Sequence, residues 1–220
     1  MCGITGWANL DARTPPPDGA KELLHSMCER MVHRGPDGEG LLVSTGAALG
    51  MRRLAIIDLL TGEQPIYNED RSVAVILNGE IYNYRELRAR LEKRGHLFRS
   101  QSDTEVLPHL YEEYADDMVQ HLNGMFAFAL WDSKQHRLLI ARDRFGEKPL
   151  YWGVFDNTLL FASEPKVLLA HPAVKCSLNL QALRQYLSFD YVPAPLTIYQ
   201  GINKLAAAHT LTLDNGRIET

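Results

Sequence analysis

The run Val73-Ala74-Val75-Ile76-Leu77, five apolar residues passing directly into Asn78-Gly79-Glu80, restricts the fold more than any other stretch. A strand with one wet face alternates apolar and polar residues, whereas an unbroken apolar run is buried on both faces. The chain must therefore place a layer on each side of this strand. Residues 125–131 and 138–141 flank the turn at 132–137, and residues 151–155 face 159–162 across Asp156-Asn157, so both pairs are expected as hairpins. Residues 4–10 and short segments between 41 and 57 add strands, for at least six in all, mostly antiparallel.

The helical signals are fewer. Leu23, Leu24, Met27, Cys28 and Met31 recur at helical spacing, stopped by His33-Arg34-Gly35-Pro36. Asn83 with Glu86 and Ser102 with Glu105 have the spacing of capping boxes, predicting helices through Leu91 and through Tyr114, and a short helix is expected at 164–169. Few helices against many strands predict an α+β fold in which helices cover sheets that face one another.

Met1-Cys2 is the chemically distinctive dipeptide. Removing the methionine would leave a cysteine with its own free amine, joining a thiol of pKa roughly 8.5 to a base of roughly 7.7–8. A cysteine at position 2 is otherwise an ordinary small residue near a frayed end, so its meaning depends on the rest of the chain. Cys28 falls on the helical stripe and is expected in the core; Cys176 stands alone. Three separated cysteines make neither a disulfide framework nor a metal knuckle, in keeping with a reducing, cytoplasmic setting. The eight histidines include no i, i+4 pair on a helix and none beside a second cysteine, so no metal site is expected.

A net charge of −4 leaves no broad basic surface for nucleic acid or anionic lipid. No apolar run approaches the ~20 residues of a membrane span, and the N-terminus lacks a secretory pattern. Small polar metabolites are the expected ligands. The strand end Asn78-Gly79-Glu80 suits one: glycine admits a ligand close to the backbone, and its neighbours supply an amide and a carboxylate. An Asn-Gly turn is the plain alternative. Asp103, at a helix start, is favoured there by the dipole whether or not it binds anything.

Beyond His171-Pro172 a helix is expected from 179 to 189, then Val192-Pro193-Ala194-Pro195, then short strands at 197–199 and 209–213. Asp214-Asn215-Gly216 is a hairpin turn, yet the four residues after it are too few for a covered partner strand. Residues 171–220 are accordingly expected to be a linker and the start of a second, truncated domain, following a first domain at 2–170.

The segments MCGI, HRGPDGEG, RRLAIIDL, NGEIYNY, SDTEV, GMFAFALWD, ARDRFGEKPLY and ASEPKVLL, in this order, closely resemble the class II glutamine amidotransferase domain of glutamine-hydrolysing asparagine synthetases. The resemblance implies an N-terminal-nucleophile hydrolase fold, a four-layer αββα sandwich of two mainly antiparallel sheets. It implies that Cys2 attacks the side-chain amide of L-glutamine, that Asn78 and the Gly79 N–H form the oxyanion hole, and that Arg53 takes the substrate α-carboxylate. Glu80 and Asp103 would hold the substrate, Asp103 at its α-ammonium, and the backbone of Leu54, Ala55, Ile56 and Ile57 would complete the pocket. The ammonia would pass to an aspartate activated by ATP in a C-terminal synthetase domain; these residues contain no SGGxDS-type phosphate loop, so no cofactor is expected here, ATP and magnesium belonging to that other domain. A homodimer is compatible with the resemblance. Two alternatives stay open: an amidotransferase serving another acceptor, such as a sugar phosphate or a cell-surface polysaccharide precursor, and a catalytically silent regulatory relative.

Overall fold

The computed structural model describes residues 1–58 and 61–220; Leu59, the last residue of the RRLAIIDL segment, lies outside the described residues. In chain order the elements are β1 (Gly3–Asn9), α1 (Ala20–Glu29), β2 (Gly38–Ser44), β3 (Ala47–Arg53), β4 (Ile66–Tyr67), β5 (Val73–Ile81), α2 (Tyr84–Glu92), α3 (Val106–Tyr114), β6 (Gly124–Asp132) and β7 (Arg137–Arg142). There follow β8 (Tyr151–Phe155), β9 (Thr158–Ala162), α4 (Pro165–Leu168), α5 (Leu180–Phe189), β10 (Asn203–Lys204), β11 (Thr210–Asp214) and β12 (Arg217–Glu219). They build two six-stranded sheets, β10-β8-β9-β1-β3-β2 and β12-β11-β7-β6-β5-β4. Every pairing is antiparallel.

The two-residue period of the strands sorts the side chains into layers. In β5, Ala74 and Ile76 point between the sheets, while Val73, Val75 and Leu77 point the other way onto α2 and α3. β6 repeats this, with Ala127, Ala129 and Trp131 between the sheets and Phe126, Phe128 and Leu130 under the helices. On the far side, Trp7, Ala48 and Leu160 meet Leu24 and Met27 of α1 and Met31 in the turn after it. The result is the expected four-layer αββα sandwich. Cys28 lies in the core, where burial pushes its thiol up to about 12.

Several sequence expectations change in the structure. β5 does not end at Leu77 but runs to Ile81, so Asn78-Gly79-Glu80 is strand and not a turn. β3 ends at Arg53, and residues 54–58 form a loop instead of the expected strand end. Asn83 does not cap α2 with its side chain; its amide accepts from Asn123 N at 3.0 Å and donates to His121 O at 2.9 Å, joining α2 to the start of β6. Ser102 does cap, accepting from Thr104 N at 3.2 Å, whereas Glu105 turns back to the N–H groups of Arg99 and Ser100 at 2.7 Å each.

The largest correction concerns the last fifty residues. No strand forms at 197–199, where Tyr199 makes only an isolated bridge to Leu178. β10 instead extends the first sheet at β8, and β11 extends the second at β7. Residues 217–219 do suffice for a partner strand, β12, because Leu211 and Leu213 of β11 already sit in the inter-sheet core and β12 only has to pair with that edge. These strands complete both sheets, a tertiary event that no local pattern in the linker-like sequence announces.

Candidate active site

A cleft opens at one end of the sandwich, between the ends of β1 and β3 and the exposed edge of β5. Nine of the ten expected site residues line it: Cys2, Arg53, Leu54, Ile56, Ile57, Asn78, Gly79, Glu80 and Asp103. Ala55 does not. Its N–H is bonded to Asp37 Oδ2 at 2.9 Å, which fixes the loop from behind.

The N-terminus is held there by the segments the sequence marked. The Ile4 N–H donates to Ser163 Oγ at 3.0 Å, and Ser163 N returns to Ile4 O at 2.8 Å. Arg34 of HRGPDGEG donates from Nε to the Cys2 carbonyl at 2.9 Å, and its other arm pairs with Glu164 of ASEPKVLL at 3.1 Å. Cys2 is thus positioned through its own backbone, and its Sγ accepts from Leu54 N at 3.4 Å. Met1 also lies in the cleft, its sulfur 3.3 Å from the buried Lys148 Nζ.

The opposite wall is the free edge of β5. Its neighbour β4 is only two residues long and pairs no further than Val75 and Ala74, so among the described residues the edge from Leu77 to Ile81 has no strand beside it. Phe126, across from Gly79, turns its own N–H and C=O to Asp143 at 3.3 and 2.8 Å. That makes Gly79–Phe126 a pair without mutual hydrogen bonds, whose N–H groups point outward. Of the outward N–H groups on β5, that of Leu77 is taken by Gln64 Oε1 at 2.7 Å and that of Ile81 by Asp103 Oδ2 at 2.8 Å. The Gly79 N–H between them faces the cleft. Glycine is required for packing: a Cβ would stand 2.1 Å from Met125 O and 2.7 Å from Phe126 Cα.

Asn78 is fully buried, and neither its Nδ2 nor its Oδ1 has a hydrogen-bond partner. A buried amide without partners is costly, and such groups in folded proteins concentrate where a ligand satisfies them. A side-chain NH₂ and a backbone N–H from adjacent residues, in the cleft that holds a thiol, are donors of the kind that can stabilise a developing oxyanion.

The remaining groups separate charge. Burial raises the Asp103 carboxyl pKa, and the nearby Glu80 carboxylate raises it further, against the Ile81 N–H that lowers it. Two carboxylates in one half-closed cleft form a seat for a cation. Arg53 supplies the opposite sign, its Nη2 held by the carbonyls of Ile57 at 3.0 Å and Asp58 at 2.5 Å. Groups of the charge needed to hold an ammonium and a carboxylate thus border a thiol.

Sequence reading did not assign Gln64, Thr104 or Lys148, which also line the cleft. Gln64 ties β5 to the Asp103 turn by donating to Thr104 Oγ1 at 3.2 Å. The motifs SDTEV and ARDRFGEKPLY contain the latter two, but nothing local says which of their side chains face inward.

A family model described as a glutamine amidotransferase domain matches residues 1–220. The chain belongs to the glutamine amidotransferase family. Asparagine synthetase [glutamine-hydrolyzing] 1 of Bacillus subtilis is 41% identical over 213 residues, covering 97% of this chain and 33% of that relative. Asparagine synthetase [glutamine-hydrolyzing] 2 of Arabidopsis thaliana is 49% identical over 170 residues, covering 76% of this chain and 28% of the relative. The amidotransferase chain therefore spans about a third of the length of the curated relatives it matches. Among solved structures, one described as the allosteric regulatory enzyme of purine biosynthesis superposes with a TM-score of 0.71 at 19% identity, over 99% of this chain and 48% of that one. Glutamine phosphoribosylpyrophosphate amidotransferase from B. subtilis gives 0.63 at 22% identity, over the same shares. At those identities the likeness is one of fold, the helix-covered sandwich of two antiparallel sheets. No helix among the described residues is long and apolar enough to cross a membrane.

Proposed function

We propose that this chain is the glutaminase part of a glutamine-hydrolysing asparagine synthetase: it hydrolyses L-glutamine to glutamate and ammonia, and a C-terminal synthetase domain transfers the ammonia to an aspartate activated by ATP. One observation carries the reading. The unpartnered Asn78 amide and the free Gly79 N–H share a cleft with Cys2, while Arg53 and the Glu80–Asp103 pair offer seats for the two charged ends of an amino acid.

In this reading Cys2 Sγ attacks the glutamine side-chain carbonyl carbon, and the developing oxyanion is met by Asn78 Nδ2 and Gly79 N. The thiol proton passes to the Cys2 α-amine and then to the departing nitrogen; the C–N bond breaks, ammonia leaves and a thioester remains. Water, deprotonated by the same amine, hydrolyses it to glutamate and restores the thiol. The amine is a base only when Met1 is gone, since with Met1 present the Cys2 nitrogen is an amide. Identity of 41–49% to asparagine synthetases favours aspartate as the acceptor over a sugar phosphate or polysaccharide precursor. The cytoplasm, with its reduced thiols and free amino acids, is the proposed setting.

Ammonia release from L-glutamine by the purified protein, with the mass of the active species measured in parallel, tests this. The expected result is activity only in the species lacking Met1, none in Cys2→Ala, and no change with ATP and aspartate, because no phosphate loop lies in these residues. Full activity in a preparation retaining Met1 would remove the terminal-amine mechanism, and an ATP-dependent increase would reveal a nucleotide site within the chain.

A further inference from the structure

Glu69, His96, His109 and Glu112 come together on the helix-covered face of the second sheet, and none of them lines the cleft. They arrive from three separate places. Glu69 follows β4, His96 lies in the loop after α2, and His109 and Glu112 stand one turn apart on α3. One ligand atom from each lies within 4.8 Å of all the others.

The individual distances are those of a coordination polyhedron. His96 Nδ1 is 3.2 Å from Glu69 Oε1 and 3.7 Å from Glu112 Oε2; His109 Nδ1 is 3.4 Å from Glu69 Oε2 and 3.5 Å from Glu112 Oε2. A tetrahedral ion with bonds of roughly 2.0–2.1 Å separates its ligands by about 3.3–3.4 Å. His109 supplies the independent sign: it is fully buried, and neither ring nitrogen makes a hydrogen bond. A buried imidazole left without a hydrogen bond, with only two nearby carboxylates facing Nδ1, is uncommon, and metal coordination is one of the few ways to satisfy it.

The surroundings orient these groups as outer ligands do. Glu69 Oε1 accepts from Leu97 N at 3.0 Å, Glu112 Oε1 accepts from Asn68 Nδ2 at 2.9 Å, and His96 Nε2 faces Glu113 Oε1 at 3.2 Å. Glu113 is in turn paired with Arg94. The two carboxylates are about one-third exposed, 31% for Glu69 and 33% for Glu112, which leaves an entry path to the buried His109.

We propose that Glu69, His96, His109 and Glu112 form a closed, structural binding site for a divalent transition metal ion, zinc being the ion whose geometry and preference for nitrogen and oxygen ligands match best. The ion clips the β4–β5 connection and the loop after α2 to α3. It takes no part in catalysis. The sequence reading expected no metal because it sought paired histidines on one helix or histidine beside cysteine; here the pairing on α3 is histidine with glutamate at i, i+3, and the other two ligands come from tertiary structure.

The test uses Cys2→Ala/Cys176→Ala, which removes the two accessible thiols, after chelator treatment and its removal. Zinc titration by calorimetry should show one saturable equivalent, a thermal midpoint raised by several degrees, and reversal by EDTA. Cobalt should give the intense visible absorption of a tetrahedral ion with no sulfur charge-transfer band. His96→Gln and Glu112→Gln, each close in size to the original, should weaken zinc by at least about 10-fold and abolish the cobalt band while keeping the far-UV spectrum of the metal-free protein. No saturable binding, or binding and stabilisation that survive in both variants, would overturn the site, and a thiolate band would place the metal on Cys28 instead.

Discussion

Asp103 Oδ2 accepts the Ile81 N–H at 2.8 Å, so the carboxylate proposed to meet a substrate ammonium is also the group that closes the free edge of β5. Gln64 does the same for the Leu77 N–H, four residues earlier, and between them the Gly79 N–H is left for the ligand. The proposed oxyanion hole is, in physical terms, a gap in a strand edge bracketed by two side-chain acceptors.

Asp103→Asn should separate these two duties. The amide oxygen still accepts from Ile81, but the charge is lost, and kcat/KM for glutamine should fall by about 10–100-fold, mostly through KM. Stability should move the other way. A carboxyl whose pKa is raised in the folded state stabilises fully only below its unfolded pKa, and that contribution is lost as pH rises through the folded pKa. At pH 7 without ligand the variant should therefore melt at the same temperature as the parent or higher, by differential scanning fluorimetry, with the difference vanishing at acid pH. A clear loss of stability at pH 7 would mean that the ionised Asp103 is satisfied by something other than substrate.

Asn78→Ala removes the donor proposed to act chiefly on the transition state, so kcat should drop by ~10²–10³ with KM little changed. Because the amide has no protein partner, its removal should not lower the thermal midpoint. Kinetics and melting on one preparation decide this, and a large fall in KM-normalised binding with kcat intact would assign Asn78 to substrate capture instead.

Gly79→Ala should fail for a packing reason. The new methyl group has the Met125 carbonyl oxygen at 2.1 Å, so β6 must move away from the edge that carries the donors. Urea unfolding should show a loss of about 1–3 kcal/mol, accompanied by a fall in kcat.

Arg53→Lys should raise KM for glutamine by about 10-fold or more with a smaller effect on kcat. An ammonium cannot hold the Ile57 and Asp58 carbonyls and also form a fork to a carboxylate. Steady-state kinetics with glutamine, and with a glutamine analogue lacking the α-carboxylate, should show the variant and the parent converging on the analogue.

Asp143 organises the ARDRFGEKPLY loop. Burial would raise its pKa, but the N–H groups of Glu147, Lys148, Phe145 and Phe126 hold it below the ordinary carboxylate value. A depressed folded pKa contributes stability that is present above the unfolded pKa and lost as pH falls through the folded one. Asp143→Ala should cost ~3 kcal/mol at pH 7 and less at pH 3, measured by chemical denaturation at both.

The sequence by itself determined the layers, because apolar periodicity is local: residues 73–77 require two covered faces, and their alternation in the structure fills two separate cores. It also singled out the candidate site residues, since Cys2, Arg53, Asn78, Gly79 and Asp103 sit in segments whose order matches a family. Only the tertiary structure decided how they act together. The Gly79 N–H is free because β4 stops after two residues, a property of a neighbouring strand; residues 210–219 complete a sheet because β7 offers an edge; and Glu69 and His96 meet His109 across long loops of chain. Hydrogen-bond vacancies and ligand clusters belong to pairs of segments distant in sequence, and no local pattern encodes the distance between them.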